Sequence, residues 1–314
     1  MQFRPILIAA LQAAGLTAAG FMLPVLGQIA MLFAPVPLII VAVLHGRLVG
    51  FLAALLATAV ISGLGAFQTA VILLMLGLVL LALAMAEGIL RNLRHESSVI
   101  LGGIIPLLLA LVLLAPVFLK AGKHPHAIVE EYLRRSLGET RELYTTMGLT
   151  DLVQTLDSVS DHIIYYASRL FPGIITTTTL LQALFCYSIS RSIVIRRRPD
   201  LPLAARPPLS LWHLPDQWVW GLIVTLAVFV IAPRDSDAWF IGLNISFFWI
   251  LAYVAQGAAV VDFLLRKVRI PTLWRSIILA MILTVPPTAV AVVALGVVDI
   301  WADFRKIRIL PMKS

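Results

Sequence analysis

The chain has 314 residues, of which 61% are hydrophobic and only 13% charged, with a formal net charge of +8. A soluble domain carries about 25% charged residues, so water is excluded as the main solvent of these side chains. Barrel strands are excluded too, because the apolar runs do not alternate with polar residues.

The basic excess reads as loop charge beside membrane spans, with no nucleic acid expected as a partner. The single cysteine, Cys186, excludes a disulfide within the chain and any zinc site built on several thiolates. The fold class expected is all-α, a polytopic transmembrane helix bundle of eight to nine spans with an external amphipathic helical insert.

Between Pro5 and Leu90 the only formal charges are Arg47 and Glu87. A helix of about 20 apolar residues crosses a hydrocarbon core about 30 Å thick, so this stretch holds several crossings. The first is expected over about 5–23. Thr17-Ala18-Ala19-Gly20 resembles a cleavage site, but the apolar run continues to Leu44 and favours an uncleaved span. A shorter second span follows at about 29–44, with Pro24, Pro35 and Pro37 marking irregular backbone near the ends. After the basic turn His45-Gly46-Arg47 come spans at about 48–66, 68–90 and 99–119.

The segment from Lys120 to Asp161 changes character, with five basic and seven acidic residues. Its apolar residues recur at helical spacing, Ile128, Tyr132, Leu133 and Leu137, then Leu149, Leu152, Val153, Leu156 and Val159. Two amphipathic helices broken near 145–148 are predicted, lying on the membrane surface or the bundle. Span six is expected over about 167–190, closed by Arg191 and Arg196-Arg197-Arg198, a cluster suited to anionic lipid. A loop containing Pro199, Pro202, Pro207 and Pro208 leads to the interfacial anchors Trp212, Trp218 and Trp220. Three further spans are placed at about 217–232, 239–264 and 276–298. The chain thus divides into a five-span half (1–119), an external segment (120–166) and a C-terminal part (167–314) containing the basic Pro-rich loop 194–215.

With the N-terminus cytoplasmic, Arg47, Arg91, Arg94, Arg191–Arg198 and Arg266–Arg269 all fall inside. Nine spans would put the tail outside, although it carries Arg305, Lys306, Arg308 and Lys313. One re-entrant span would remove the conflict, the short second one being the first candidate.

The order of short motifs resembles the YybS-like family of uncharacterised bacterial membrane proteins, which carry a domain of unknown function. The matching residues are Pro35-Val36-Pro37-Leu38, His45-Gly46-Arg47, Leu170-Phe171-Pro172 and Tyr187 to Arg191. They continue with Trp212 to Trp218, Tyr253 to Gly257, and Asp299 to Lys306. More distantly, residues 1–193 resemble the six-helix S components of energy-coupling-factor vitamin transporters. Those have a short second helix, a Gly-bearing turn before helix three, an external segment before helix six and small residues on helix one. That resemblance implies a transmembrane coupling subunit with a separate ATPase as partner. The last two or three spans depart from it.

Ala9, Ala10, Ala13, Ala14 and Ala18 have the small-xxx-small spacing that lets helices approach closely; packing within the bundle is the favoured reading, and helix docking to a partner subunit is the functional one. Thr178, Gln182, Cys186 and Ser190 form one polar stripe on span six. With Asn244, Tyr253 and Gln256 of span eight, Thr178 and Gln182 make the candidate ligand cavity. Asp161, His162, Tyr165 and Arg169 mark its candidate outer entrance. Interhelical hydrogen bonding explains the span-six stripe equally well and is the favoured reading for Asn244, Tyr253 and Gln256. Glu87 and Asp262 are expected to pair with Arg91 and Arg266 across i, i+4.

No Walker loop, dinucleotide fingerprint, nucleophile elbow or His-Glu-x-x-His is present, so no cofactor or metal is assigned and no catalytic residue named. The leading function is a small-molecule-binding or transport-related module of the inner membrane. A scaffold for envelope complexes is the alternative. An enzyme acting on lipid or isoprenoid ranks last, because no paired carboxylates stand within a span. The intact chain is expected to sediment with membranes, and recovery in a high-speed supernatant without detergent would contradict the membrane reading.

Overall fold

The structure is a computed structural model of the chain, and it describes residues 3–23, 26–64, 69–122, 124–203 and 208–306. Pro24, Pro207, Arg308 and Lys313, used in the sequence reading, lie outside the described residues. Among the described residues the chain is helical throughout, without strands. In order the helices are α1 (Phe3–Met22), α2 (Leu26–Leu32), α3 (Pro35–His45), α4 (Arg47–Leu64), α5 (Thr69–Leu90) and α6 (His95–Ala121). They continue with α7 (Pro125–Thr146), α8 (Thr150–Arg197), α9 (Trp218–Ile231), α10 (Asp237–Lys267), α11 (Thr272–Thr284) and α12 (Pro286–Ala302). A 3-10 turn, Leu209–Leu211, precedes α9.

By length and composition six segments among the described residues can cross a membrane: α1, α2 with α3, α4, most of α5, α8 and α10. A seventh is added if α11 and α12 count as one span. The eight to nine of the sequence reading are reached only by counting the shorter apolar helices as well, His95–Leu109 of α6 and the 14-residue α9. At 1.5 Å per residue α9 rises about 21 Å, short of a core about 30 Å thick.

Proline sets the breaks. Pro35 stands at the start of α3, where a missing N–H costs nothing. The expected ninth span is corrected: it bends by 107° between α11 and α12, at Val285. Pro286 and Pro287 open α12 and push Val285 to extended geometry, with ψ 116°. The predicted amphipathic break is present, with Gly148 at φ 71° between α7 and α8. The second amphipathic helix does not stop before span six; the 48 residues of α8 are continuous, with Pro172 inside.

The described chain divides into two compact units. The first comprises residues 1–128 and 178–204, the second 129–177 and 205–314. In the first, α1 packs on α2, α3 and α4. Small residues make the approach close: Ala10 of α1 and Ala53 and Ala54 of α4 are fully buried. Met75, Leu81 and Met85 of α5 and Ala183, Cys186 and Tyr187 of α8 complete this core.

In the second unit α10 packs on α9, α11 and α12. Trp249 Nε1 donates to Thr225 Oγ1 at 2.9 Å, joining α10 to α9. Backbones meet where α10 and α12 cross. A Cβ on Gly257 would fall on the Val292 carbonyl oxygen, and one on Gly296 on that of Tyr253. Gly257→Leu is therefore expected to lower the Tm of the detergent-solubilised protein, since overpacking of this kind costs about 1–3 kcal/mol. Gly77→Ala, where a Cβ meets nothing within 4 Å, should leave it unchanged or raise it.

Candidate functional site

In the first unit the polar stripe of α8 faces the break between α2 and α3. The last carbonyls of α2 have lost their helical donors. Gln182 Nε2 donates to Leu32 O at 3.2 Å and Met31 O at 3.5 Å, and Cys186 Sγ donates to Leu32 O at 3.1 Å. Thr178, farther out on the stripe, is exposed. The docking alanines Ala9, Ala10, Ala13 and Ala14 are buried inside this unit, and Ala18 is half-buried against the same core.

Asn244, Tyr253 and Gln256 belong to the second unit, so the five candidate cavity residues are not gathered within one unit. Asn244 repairs α8 beside Pro172. In an uninterrupted helix the Gly173 N–H would donate to the Arg169 carbonyl. Here Gly173 N donates to Asn244 Oδ1 at 2.6 Å, while Asn244 Nδ2 donates to Arg169 O at 2.9 Å and Phe240 O at 2.8 Å. One carboxamide thus meets both the Gly173 N–H and the Arg169 carbonyl.

Gln256 does the same for the segment before α9. Its Oε1 accepts from Leu214 N at 2.9 Å, and its Nε2 donates to Asp299 Oδ2 at 2.7 Å. Arg305 Nη2 donates to the same oxygen at 2.7 Å, while Arg305 Nη1 donates to Ser210 O at 3.1 Å and Trp212 O at 2.6 Å. Phe304 N completes the knot on Asp299 Oδ1 at 3.2 Å. The Asp299 and Arg305 side chains are 3% and 1% exposed, so this charge pair is sealed from solvent. Sequence reasoning caught these two only within a short closing motif; an aspartate in an apolar run followed by an arginine was the available signal. Tyr253 is buried nearby among Leu214, Val219 and Ile300. Its hydroxyl has no hydrogen-bond partner among the described residues.

The other expected pairs form and gain members. Asp262 bonds Arg266 at 3.0 Å and also the buried Arg275 at 3.0 Å. Glu87 bonds Arg91 and takes a two-pronged contact from Arg47 at 2.8 and 2.9 Å.

At the outer end of α8 the residues divide. Arg169 lies over the Tyr165 ring at 3.8 Å and within 5.6 Å of the Phe240 ring centroid, a cation–aromatic stack. Glu130 stands 4.0 Å from that guanidinium. Tyr166 OH donates to Asp235 Oδ1 at 3.3 Å. Asp161 instead pairs with Arg134 of α7 at 2.8 Å, and His162 is exposed. Hydrogen bonds to Asp161 and then Glu130 hold the Arg134 guanidinium above its ordinary value.

No group of three or more His, Cys, Asp or Glu side chains that could hold a metal occurs among the described residues. Chemically the arrangement is a set of hydrogen-bond locks. Asn244→Leu should leave the Gly173 N–H and Arg169 carbonyl unsatisfied, a cost of about 1–3 kcal/mol. The expected readout is faster amide exchange around residues 169–173; unchanged exchange there would count against the repair role.

Comparison with known proteins gives one match. The family described as predicted membrane protein (DUF2232) matches residues 12–300. No curated protein and no solved structure matches.

Proposed function

Since the chain belongs to the DUF2232 family of membrane proteins, we propose that it is a small-molecule-binding or transport-related module of the inner membrane, organised like an S component with its N-terminus in the cytoplasm. The observation that carries this reading is the make-up of the first unit. It contains six apolar segments: α1, the α2–α3 pair, α4, α5, α6 and residues 178–197 of α8. Its second segment is broken into short helices, and Gly46 turns the chain into the third at φ 104°. The cationic turns at Arg47 and at Arg91 with Arg94 supply the orientation.

Within this unit the buried hydroxyls of Ser62 and Ser190 have no hydrogen-bond partner among the described residues. Buried polar groups of that kind are normally met by protein, water or ligand. A polar, uncharged small molecule is the chemistry such hydroxyls suit, at two separate binding points: Ser62 lies about 22 Å along α4 from Arg47, whereas Ser190 adjoins Arg191. The amides of Asn244 and Gln256 drop out of the cavity on this reading, because backbone groups occupy them. Energy for transport would come from a partner subunit carrying its own ATPase.

The test is mass spectrometry of the denatured extract of protein purified in mild detergent. A near-stoichiometric small molecule is expected, reduced in the Ser62→Ala/Ser190→Ala variant. A folded protein that retains no such molecule and brings down no ATPase would overturn the proposal.

A second reading, a scaffold for envelope complexes, is favoured by α7. That helix has no buried residue and exposes Tyr132 and Leu143, with Met147 exposed in the turn just after it. It pairs antiparallel with the start of α8 through Arg134–Asp161 and Arg141–Asp157. On this reading envelope proteins co-purify with the wild type and are lost when those three side chains become Ser.

A further inference from the structure

The path of the last two helices can be followed against α10, the longest landmark of the second unit. Its 31 residues rise about 46 Å. Asp237 begins it after the Arg234–Ser236 turn, and Lys267 ends it before the basic run to Arg269. The chain leaves α10 at Lys267 and starts α11 at Thr272, where Arg275 is bonded back to Asp262. After the 107° bend α12 crosses α10 at Gly257, with Val292 and Gly296 against it. The helix then closes on Gln256 through Asp299.

Gln256 lies about 28 Å along the helix from Asp237 and about 16 Å from Lys267. A final span that crossed the membrane would finish beside Asp237. Instead Arg305 is bonded to the carbonyls of Ser210 and Trp212, in the segment that leads into α9. Because α9 lies between that segment and the Arg234–Ser236 turn, the end of α12 sits with the α9 start. Helix length does not separate the cases, since α9, which links the two faces, rises only about 21 Å against about 26 Å for α12; the bonds at the end of α12 do.

We infer that α11 and α12 form a re-entrant hairpin, which enters and leaves through one face of the membrane and puts Asp303–Lys306 on the same side as His213. Irregular backbone at membrane depth is tolerated where protein covers it. The Gln256–Asp299–Arg305 knot supplies that cover for residues 210–214. The arrangement also gathers Arg305 and Lys306 with Arg266–Arg269 on one face. The charge conflict raised by nine crossings disappears, and it is the last span, not the second, that turns back.

Single cysteines at His213, Arg234 and Lys306, all exposed positions, test this in the full chain carrying Cys186→Ser. Each is treated with a membrane-impermeant maleimide in intact cells and in inverted vesicles, and referred to its signal after solubilisation. H213C and K306C should react from one face and R234C from the other. Reaction of K306C from the face that labels R234C overturns the hairpin. A green fluorescent protein fused after Ser314 gives a second readout. With H213C labelled in inverted vesicles, fluorescence supports the inference and a dark, exported fusion overturns it.

Discussion

A peptide group in hydrocarbon has no water to bond, and leaving one unsatisfied costs several kcal/mol. That constraint explains the use of nearly every amide side chain in the apolar helices of this protein. Gln182 covers carbonyls at the α2–α3 break, Asn244 bonds the Gly173 N–H and the Arg169 carbonyl beside Pro172 in α8, and Gln256 holds the segment before α9. Beside Pro35 and Pro172 a carboxamide from another helix meets the backbone groups, and at the Pro286–Pro287 bend the Thr288 hydroxyl donates to the Val285 carbonyl. An amide suits this task because it donates and accepts at once.

The buried charges follow the same logic. Asp299 accepts from Gln256, Arg305 and the Phe304 N–H, so both its oxygens are occupied. Arg305 in turn satisfies two backbone carbonyls. A buried pair of this kind is poor evidence for added stability, since desolvation offsets the attraction. Its value is positional: it fixes where α12 ends. Asp262 with Arg275 fixes where α11 begins, and the glycines at 257 and 296 let the backbones touch between the two.

Much of this was legible in the residues. Apolar run length gave the bilayer and the helices, because hydrocarbon permits little else. The polar side chains at 182, 244 and 256 stood out as groups that lipid would not tolerate. Their partners were hidden, because each bond joins positions far apart in sequence: 71 residues separate Gly173 from Asn244, and about 150 separate Gln182 from Leu32. The Asp299–Arg305 pair escaped for a local reason. A spacing of six does not share a helix face, and the two meet only because Asp303 adopts φ 39° and turns the chain back. The double proline at 286–287 was visible, yet a run of apolar residues on both sides masked the bend.

The Arg305 knot also has a consequence for biogenesis. It closes a loop of 95 residues onto Ser210, and the entropy of such closure makes it a late event on any assembly route. Until α12 docks, the Nε2 group of Gln256 lacks Asp299, and the carbonyls of Ser210 and Trp212 lack Arg305. An unfinished or wrongly inserted chain therefore displays polar groups in an oily setting, a flag that quality-control proteases of the bilayer are equipped to read.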